Sequence, residues 1–231
     1  MNIFYTPPYF GGVVSFLCTH KAKYIFMETS QQFLEKYNEM VDSDNWDYKL
    51  FLLTNAIELD LDNYEARLER AIENYIATNY RMALYDLLIC FDNDYKIELV
   101  NLYIALTMVE LKHYKVALEH FKYSDIETSP MYFGAYGNCL IELGRNKKAC
   151  FFLEKYIEEY TEEHGAYYDL AKALYNRKLY KKSLKMINKA LELRGGCGYY
   201  YKELKTSIGI ELEKRNCITS KTMKIKAFEL N

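Results

Sequence analysis

Side chains that commonly carry out chemistry are few in this sequence and are spread along it. The four histidines are His20, His113, His120 and His164. His113 and His120 could approach each other around a turn, but no cysteine or carboxylate accompanies them at the spacing of a metal site. We interpret them as surface histidines and predict no catalytic residue, no metal site and no cofactor, so the chain is not expected to be an enzyme.

The cysteines and the acidic residues do not complete a binding site either. The segment FDNDY at 91–95 resembles part of a calcium loop but lacks the glycine and the closing glutamate that such a loop requires. No glycine-rich phosphate loop is present. The cysteines form no CxxC pair and show no spacing typical of a disulfide framework, which predicts reduced thiols in a cytoplasmic protein. They are Cys18, Cys90, Cys139, Cys150, Cys197 and Cys217.

Charge is distributed unevenly along the chain. Residues 1–163 contain 15 Lys or Arg and 26 Asp or Glu, whereas residues 164–231 contain 15 and 6. A basic patch is predicted near residue 180, and such a patch can steer an acidic protein, a phospholipid surface or nucleic acid towards the chain. A solvated basic face is the simpler interpretation, and nucleic acid is the less favoured partner because no base-stacking set accompanies the patch. The patch comprises Arg177, Lys178, Lys181, Lys182, Lys185 and Lys189.

Small residues recur at a nearly constant interval, which indicates a repeated structural unit. Two sets of small residues each show separations of 34, 32 and 34 residues. Large apolar residues follow the second set by four residues each time, which is the spacing of one helix face. We infer helical hairpins whose two helices approach closely where the small side chains meet. The first set is Ala71, Ala105, Gly137 and Ala171, and the second is Ala83, Ala117, Ala149 and Ser183.

This pattern resembles the tetratricopeptide repeat, which has a period of 34 residues. The segments NAIELDLDN at 55–63 and NKALELRGG at 188–196 are similar to the closing phrase of that repeat. The resemblance implies an all-α superhelix of stacked hairpins, an α-solenoid. Its units are predicted at 30–63, 64–97, 98–129, 130–163 and 164–197. Arg67, Asn101 and Tyr156 depart from the family's pattern, so local packing is in question at those positions.

The two ends of the chain lie outside the predicted repeats. Residues 1–29 form an apolar leader, expected to be irregular or loosely packed, and its apolar run is too short to span a membrane because Pro7-Pro8 and Gly11-Gly12 interrupt it. Residues 198–215 retain an apolar stripe without the small residues, which predicts a capping helix over the last repeat. Residues 216–231 are predicted to be a tail.

The resemblance also implies a function, that of a protein–protein interaction scaffold whose first helices line a concave groove. Only Asn138 and Lys172 resemble residues that clamp a peptide carboxylate in some members of the family. The remaining lining is apolar and aromatic, so we expect an amphipathic helix or an apolar extended segment as partner. Self-association and an internal plug formed by the leader are alternatives. The predicted lining is Leu68, Ile72, Ile76, Leu102, Tyr103, Leu106, Met131, Asn138, Tyr168, Lys172 and Tyr175.

Overall fold

Helices account for all regular secondary structure in the part of the chain that the computed structural model describes, which is residues 28–40, 45–124 and 130–229, with side chains to residue 218. Ten α-helices pair into five antiparallel hairpins and an eleventh follows them. The hairpins are α1 (Ser30–Asn38) with α2 (Trp46–Leu59), α3 (Tyr64–Ile76) with α4 (Tyr80–Asp92), α5 (Ile97–Glu110) with α6 (Tyr114–Phe121), α7 (Phe133–Glu142) with α8 (Asn146–Glu159), and α9 (His164–Asn176) with α10 (Tyr180–Leu193). The last helix is α11 (Tyr199–Glu229). Most of the leader, residues 1–27, lies outside the described residues.

One turn geometry joins the helices in the second to fifth hairpins. The second residue after the end of each first helix is left-handed, with φ of 63° at Thr78, 63° at Lys112, 72° at Gly144 and 60° at Lys178. The next backbone N–H donates to the carbonyl five residues earlier, as in Asn79 N to Asn74 O at 2.8 Å. This closure satisfies a carbonyl that the helix end would leave unpaired.

The small residues of the two predicted sets are buried in the structure. Ala71, Ala83, Ala105 and Ala117 are completely buried. A methyl group built at Gly137 would lie 2.6 Å from Cγ of Leu153, so only glycine allows α7 and α8 to approach this closely. The paired helices are therefore held at a distance that the small side chains set.

A buried charged network joins α3 to α4 and reaches the first hairpin through Arg70, which donates to Thr54 Oγ1 at 3.3 Å. Asp86 is 1% exposed and accepts hydrogen bonds from Arg70 Nε at 2.8 Å and Nη2 at 2.9 Å. Arg67, at a position where the repeat family favours a large apolar residue, lies 3.5 Å from the same carboxylate and also donates to Leu61 O in the turn between α2 and α3. A second departure, Asn101, is buried and bonds to Ile97 O and to His120. Both departures are accommodated because every polar atom involved has a partner.

Tyr156, the third departure, is also accommodated, as is the third unit at 98–129, which is two residues shorter than the second. Tyr156 stands at a repeat position that holds a small residue in other units, and it stacks on Tyr160 with ring centroids 4.6 Å apart. Pro130 begins a 3₁₀ turn over Pro130–Tyr132 that leads into α7.

The final helix covers the last hairpin as predicted but extends further than predicted. Tyr201 and Ile208 are buried in a cluster with Ala171, Ile187 and Ala190. The helix then continues to Glu229, so the structure corrects the boundary at 215 and the expected tail at 216–231. Its continuation has a physical reason, since no proline or glycine occurs between residue 210 and residue 229.

Candidate partner-binding surface

A ladder of three tyrosines crosses successive hairpins, with Tyr75 on α3, Tyr103 on α5 and Tyr132 in the 3₁₀ turn that precedes α7. Tyr75 and Tyr103 meet edge to face with ring centroids 5.9 Å apart, and Tyr103 and Tyr132 do so at 6.5 Å. Burial raises the pKa of Tyr75 to about 12, with a further contribution from Glu110. Burial also raises the pKa of Tyr103, which hydrogen bonds with Tyr132. The phenols are thus neutral near pH 7 and can donate hydrogen bonds to a partner.

Two acidic groups lie on the first helices of the fourth and fifth hairpins, Glu142 on α7 and Asp169 on α9. Glu142 on α7 accepts a hydrogen bond from Lys172 on α9, with Nζ and Oε1 2.6 Å apart. Burial raises the pKa of the half-buried Asp169 carboxyl to about 7, an effect that Lys172 opposes and Glu142 reinforces. Asp169 therefore changes charge near neutral pH, and a cation from a partner would favour its ionised form.

The structure divides the predicted groove lining into accessible and inaccessible residues. Leu68, Leu102 and Leu106 are only 1%, 5% and 2% exposed, because they pack in the core between neighbouring hairpins. Their predicted contact with a partner is incompatible with this burial. Ile76 and Met131 are 66% and 56% exposed and remain available.

The remaining predicted lining residues are partly buried. Tyr168 packs against Tyr201 of the capping helix with ring centroids 4.5 Å apart, and Tyr175 packs against Tyr180 at 5.5 Å. Tyr168 therefore supports the cap as well as the groove surface. The partly buried set is Ile72, Tyr103, Asn138, Tyr168, Lys172 and Tyr175.

The basic patch is present on the last hairpin and is extended by the capping helix. Lys189 is paired with Glu192 at 3.4 Å, while the other five predicted members are exposed. Arg215 of α11 lies over the ring of Tyr180, 4.5 Å from its centroid. A cavity of about 260 Å³ separates the start of α10 from α11, and its lining includes Lys178, Lys181, Lys182 and Arg215. Sequence reasoning missed Arg215 because it lies on a different helix from the rest.

A further apolar surface was not predicted from the sequence. Phe51, Met82, Tyr85 and Phe151 are each more than half exposed and lie on the second helices of their hairpins. The sequence does carry a signal for this surface, because α4 and α8 contain large apolar residues beyond those that follow the small residues by four positions. Their exposure gives the outer side of the array an apolar character of its own.

His120 and His164 have ordinary structural partners. His120 Nδ1 lies 2.7 Å from Asn101 Oδ1, and His164 Nδ1 lies 3.0 Å from the hydroxyl of Tyr201. Within the described ranges, no group of three or more His, Cys, Asp or Glu side chains could hold a metal ion. Over the same residues, no helix is both long enough and apolar enough to cross a bilayer.

Comparison with known proteins relates the architecture to solved structures. YrrB, a TPR protein with an unusual peptide-binding site, superposes with a TM-score of 0.59 at 17% identity, covering 72% of this chain and 87% of YrrB. The chain has the tetratricopeptide-repeat fold. A MamA structure gives a TM-score of 0.59 at 17% identity over 72% of this chain and 97% of MamA. A tetratricopeptide repeat protein from Parabacteroides merdae superposes with a TM-score of 0.59 at 16% identity, covering 86% of this chain and 79% of that protein. No protein-family model and no curated protein matches the sequence.

Proposed function

We propose that this tetratricopeptide-repeat chain is a non-catalytic scaffold that binds a segment of another protein along its concave surface. The observation that carries the proposal is the ladder of Tyr75, Tyr103 and Tyr132, with the carboxylates of Glu110 and Glu69 near the phenols of Tyr75 and Tyr103. Tyrosines offer apolar area and a hydrogen-bonding group at a small cost in conformational entropy, which makes them effective contact residues. The cytoplasmic location predicted from the cysteines is part of this proposal.

The groove chemistry favours a particular kind of segment. Exposed Ile76 and Met131 supply apolar contacts, and Asp169 supplies a carboxylate whose ionisation a cationic group would promote. The preferred partner is therefore an apolar or amphipathic segment that carries Lys or Arg. The solved protein YrrB, which has the same fold, has a peptide-binding site, and this supports the general mode of binding.

Selection of peptides from a random display library on the purified chain tests the proposal. The selected peptides should be rich in apolar and basic residues, and calorimetry should show weaker binding to the double variant Ile76→Ser, Met131→Ser. The control is Met82→Ser, Phe151→Ser, which removes similar exposed apolar area from the second helices. Equal affinity of both double variants for the peptides would contradict a concave site. Tyr168→Ala is a poor test because Tyr168 also packs on the cap.

The basic end of the chain supports a second candidate function, that of an adaptor directed to an anionic partner. The cavity between the start of α10 and α11 is lined by basic side chains from two parts of the chain, among them Lys178 and Arg215. Binding to phosphates through this patch should weaken steeply as salt rises, whereas binding in the concave groove should depend less on salt. Titration of the chain with a short phosphorylated peptide at low and high salt separates the two functions.

A further inference from the structure

The turns within the second to fifth hairpins form a basic edge of the array. Because the two helices of each hairpin are antiparallel, the turns within hairpins lie along one edge and the turns between hairpins along the other. The basic edge comprises each turn and the first three residues of the next helix, at 77–82, 111–116, 143–148 and 177–182. These stretches contain one, two, three and four Lys or Arg in chain order and no Asp or Glu. All of these cations are exposed: Arg81, Lys112, Lys115, Arg145, Lys147, Lys148, Arg177, Lys178, Lys181 and Lys182.

The chain itself does not neutralise these cations. None of them forms an ion pair with a carboxylate of the described residues. Glu142, which ends α7 beside this edge, pairs instead with Lys172 of the next hairpin at 2.6 Å. In the first hairpin, Glu39 and Asp47 flank the turn, so the basic edge begins at the second hairpin. Exposed charges of one sign along an edge attract a surface of the opposite sign.

The opposite edge of the same array is acidic. Lys96 is a cation in the turn between α4 and α5, and it lies 3.9 Å from Glu65. The formal net charge of the chain is only −2, so two copies repel each other weakly as whole molecules while their opposite edges attract. The exposed carboxylates in and beside the turns between hairpins form the acidic edge: Asp60, Asp62, Asp92, Asp94, Glu158, Glu159, Glu162 and Glu163.

One turn of the acidic edge presents a leucine between two carboxylates. Leu61 is 67% exposed and lies between Asp60 and Asp62. The buried Arg67 donates two hydrogen bonds to Leu61 O at 2.8 and 3.0 Å, and Asp62 N donates to Asp60 Oδ1 at 3.1 Å. Because these bonds hold the backbone of the turn, Leu61 is presented in a fixed position, which lowers the entropy lost on binding.

A shallow cavity on the basic edge has the complementary chemistry. It has a volume of about 590 Å³ and lies at the turn of the fourth hairpin. Phe151, which is 52% exposed, gives it an apolar wall, and Arg145, Lys147 and Lys148 also line it. No carboxylate is among the described side chains around it. Lys148 already donates to the hydroxyl of Tyr136 at 2.9 Å, which leaves Arg145 and Lys147 as the cations for a partner's carboxylates.

We propose that the turn at 60–62 of one copy of this chain docks into the Phe151 cavity of a second copy. Leu61 packs on Phe151, and the two flanking aspartates pair with Arg145 and Lys147. A second copy is the favoured occupant because one chain carries both complementary surfaces. Donor and acceptor lie on opposite edges, so the contact is heterologous and joins copies in a ring or an open chain. The concave groove takes no part in this contact, and the inference goes beyond the proposed function.

Sedimentation velocity of the full chain at about 50 mM and about 500 mM salt tests the proposal, because salt screens attraction between exposed charges. Association that grows with protein concentration and weakens at high salt is expected. Leu61→Ser should weaken association at least about tenfold, since it removes the apolar side chain that becomes buried. The matched control is Ile76→Ser, which removes an apolar side chain that is 66% exposed on the concave side and should leave association unchanged. A chain that is monomeric at both salt concentrations, or equal effects of the two variants, would overturn the proposal.

Charge reversal on both edges tests the pairing itself. The variants Arg145→Glu, Lys147→Glu and Glu58→Lys, Asp62→Lys should each fail to self-associate, because their two edges carry like charges. Arg145→Glu and Lys147→Glu place acidic groups at the start of α8, and Glu58→Lys places a cation in the last turn of α2, so helix dipoles favour these changes. A mixture of the two variants should associate again, as alternating copies. Failure of the mixture to associate, with both variants folded by circular dichroism, would refute the contact.

A charge control and the library-selected peptides distinguish this inference from the proposed function. Lys202→Glu, Lys205→Glu makes the same charge change on α11, away from the basic edge, and should not weaken association. Ile76→Ser, Met131→Ser should lose the selected peptides and keep self-association, whereas Leu61→Ser should do the reverse. A monomeric chain that binds the selected peptides overturns this inference and leaves the scaffold proposal intact, and if it binds none, both fail. A monomeric chain that binds an acidic peptide or anionic vesicles through the basic edge would assign this edge to that partner and overturn the inference.

Discussion

Replacement of Asp169 by asparagine should stabilise the protein above neutral pH. Burial raises the pKa of this carboxyl from about 3.8 to about 7, so the folded state binds its proton more tightly than the unfolded state does. Stability from this group is then fully present below pH ~4, falls as pH rises, and is lost above pH ~7. At 1.36 kcal/mol per pH unit, the difference corresponds to at most about 4 kcal/mol. Partial exposure and solvent screening reduce this value, and we expect about 1–3 kcal/mol.

Urea denaturation at about pH 4.5 and about pH 8 measures this effect. Asp169→Asn should gain stability over the wild type at the higher pH and show little difference at the lower pH. The exposed residue Glu158 provides a control, since Glu158→Gln changes the net charge equally without removing a half-buried carboxyl. A gain of the same size at both pH values, or a loss at the higher pH, would refute the argument from burial.

Three further predictions follow from the packing and the turns. Ala117→Leu should lower the free energy of unfolding by roughly 1–3 kcal/mol, since this fully buried residue sets the contact between α5 and α6. Thermal or urea unfolding measures the loss, and unchanged stability would contradict the assigned contact. Asp86→Ala should cost about 3–5 kcal/mol in the same assay, because the buried Arg67 and the partly buried Arg70 lose their carboxylate partner. Lys189→Ala on the surface should cost about 0–1 kcal/mol, and similar losses in the two variants would count against the buried network. Thr78→Gly should raise the free energy of unfolding by roughly 1 kcal/mol, because a β-branched residue is strained at φ 63°. A lower melting temperature would show that the threonine makes a compensating interaction.

The repeat architecture could be predicted because the residues that specify it are few and periodic. Small residues such as Ala83 and Gly137 have no alternative role in a tightly packed hairpin, so their spacing alone located the helices. The turns followed, since three residues separate the helices in each hairpin from the second to the fifth. The end of α11 was missed because the apolar stripe ends at Leu212, whereas the helix needs only the absence of a breaker to continue.

The groove lining was harder to predict because α5 is apolar on every side. Four of its apolar residues are buried although they do not share one side of the helix: Val100, Leu102, Ile104 and Leu106. Which apolar residues face a partner depends on how each hairpin is rotated relative to its neighbours. The spacing of residues within one helix gives no information about this rotation. The charge of Asp169 near neutral pH depends likewise on burial by neighbouring elements, which sequence alone does not reveal.

The charged junction between the first two hairpins has a consequence for how the array unfolds. In a repeat protein, each hairpin is coupled mainly to its immediate neighbours, and the strength of each interface determines whether two hairpins open together or separately. Between these hairpins Arg70 donates to Thr54 Oγ1 and Lys49 pairs with Glu73 at 3.3 Å, and desolvation of the charged groups offsets much of their attraction. We therefore expect this junction to couple its neighbours less strongly than the apolar cluster of the third to fifth hairpins does. The amide protons of α1 and α2 should consequently exchange with solvent through a local opening while the third to fifth hairpins stay folded, which makes the first hairpin an independently opening unit.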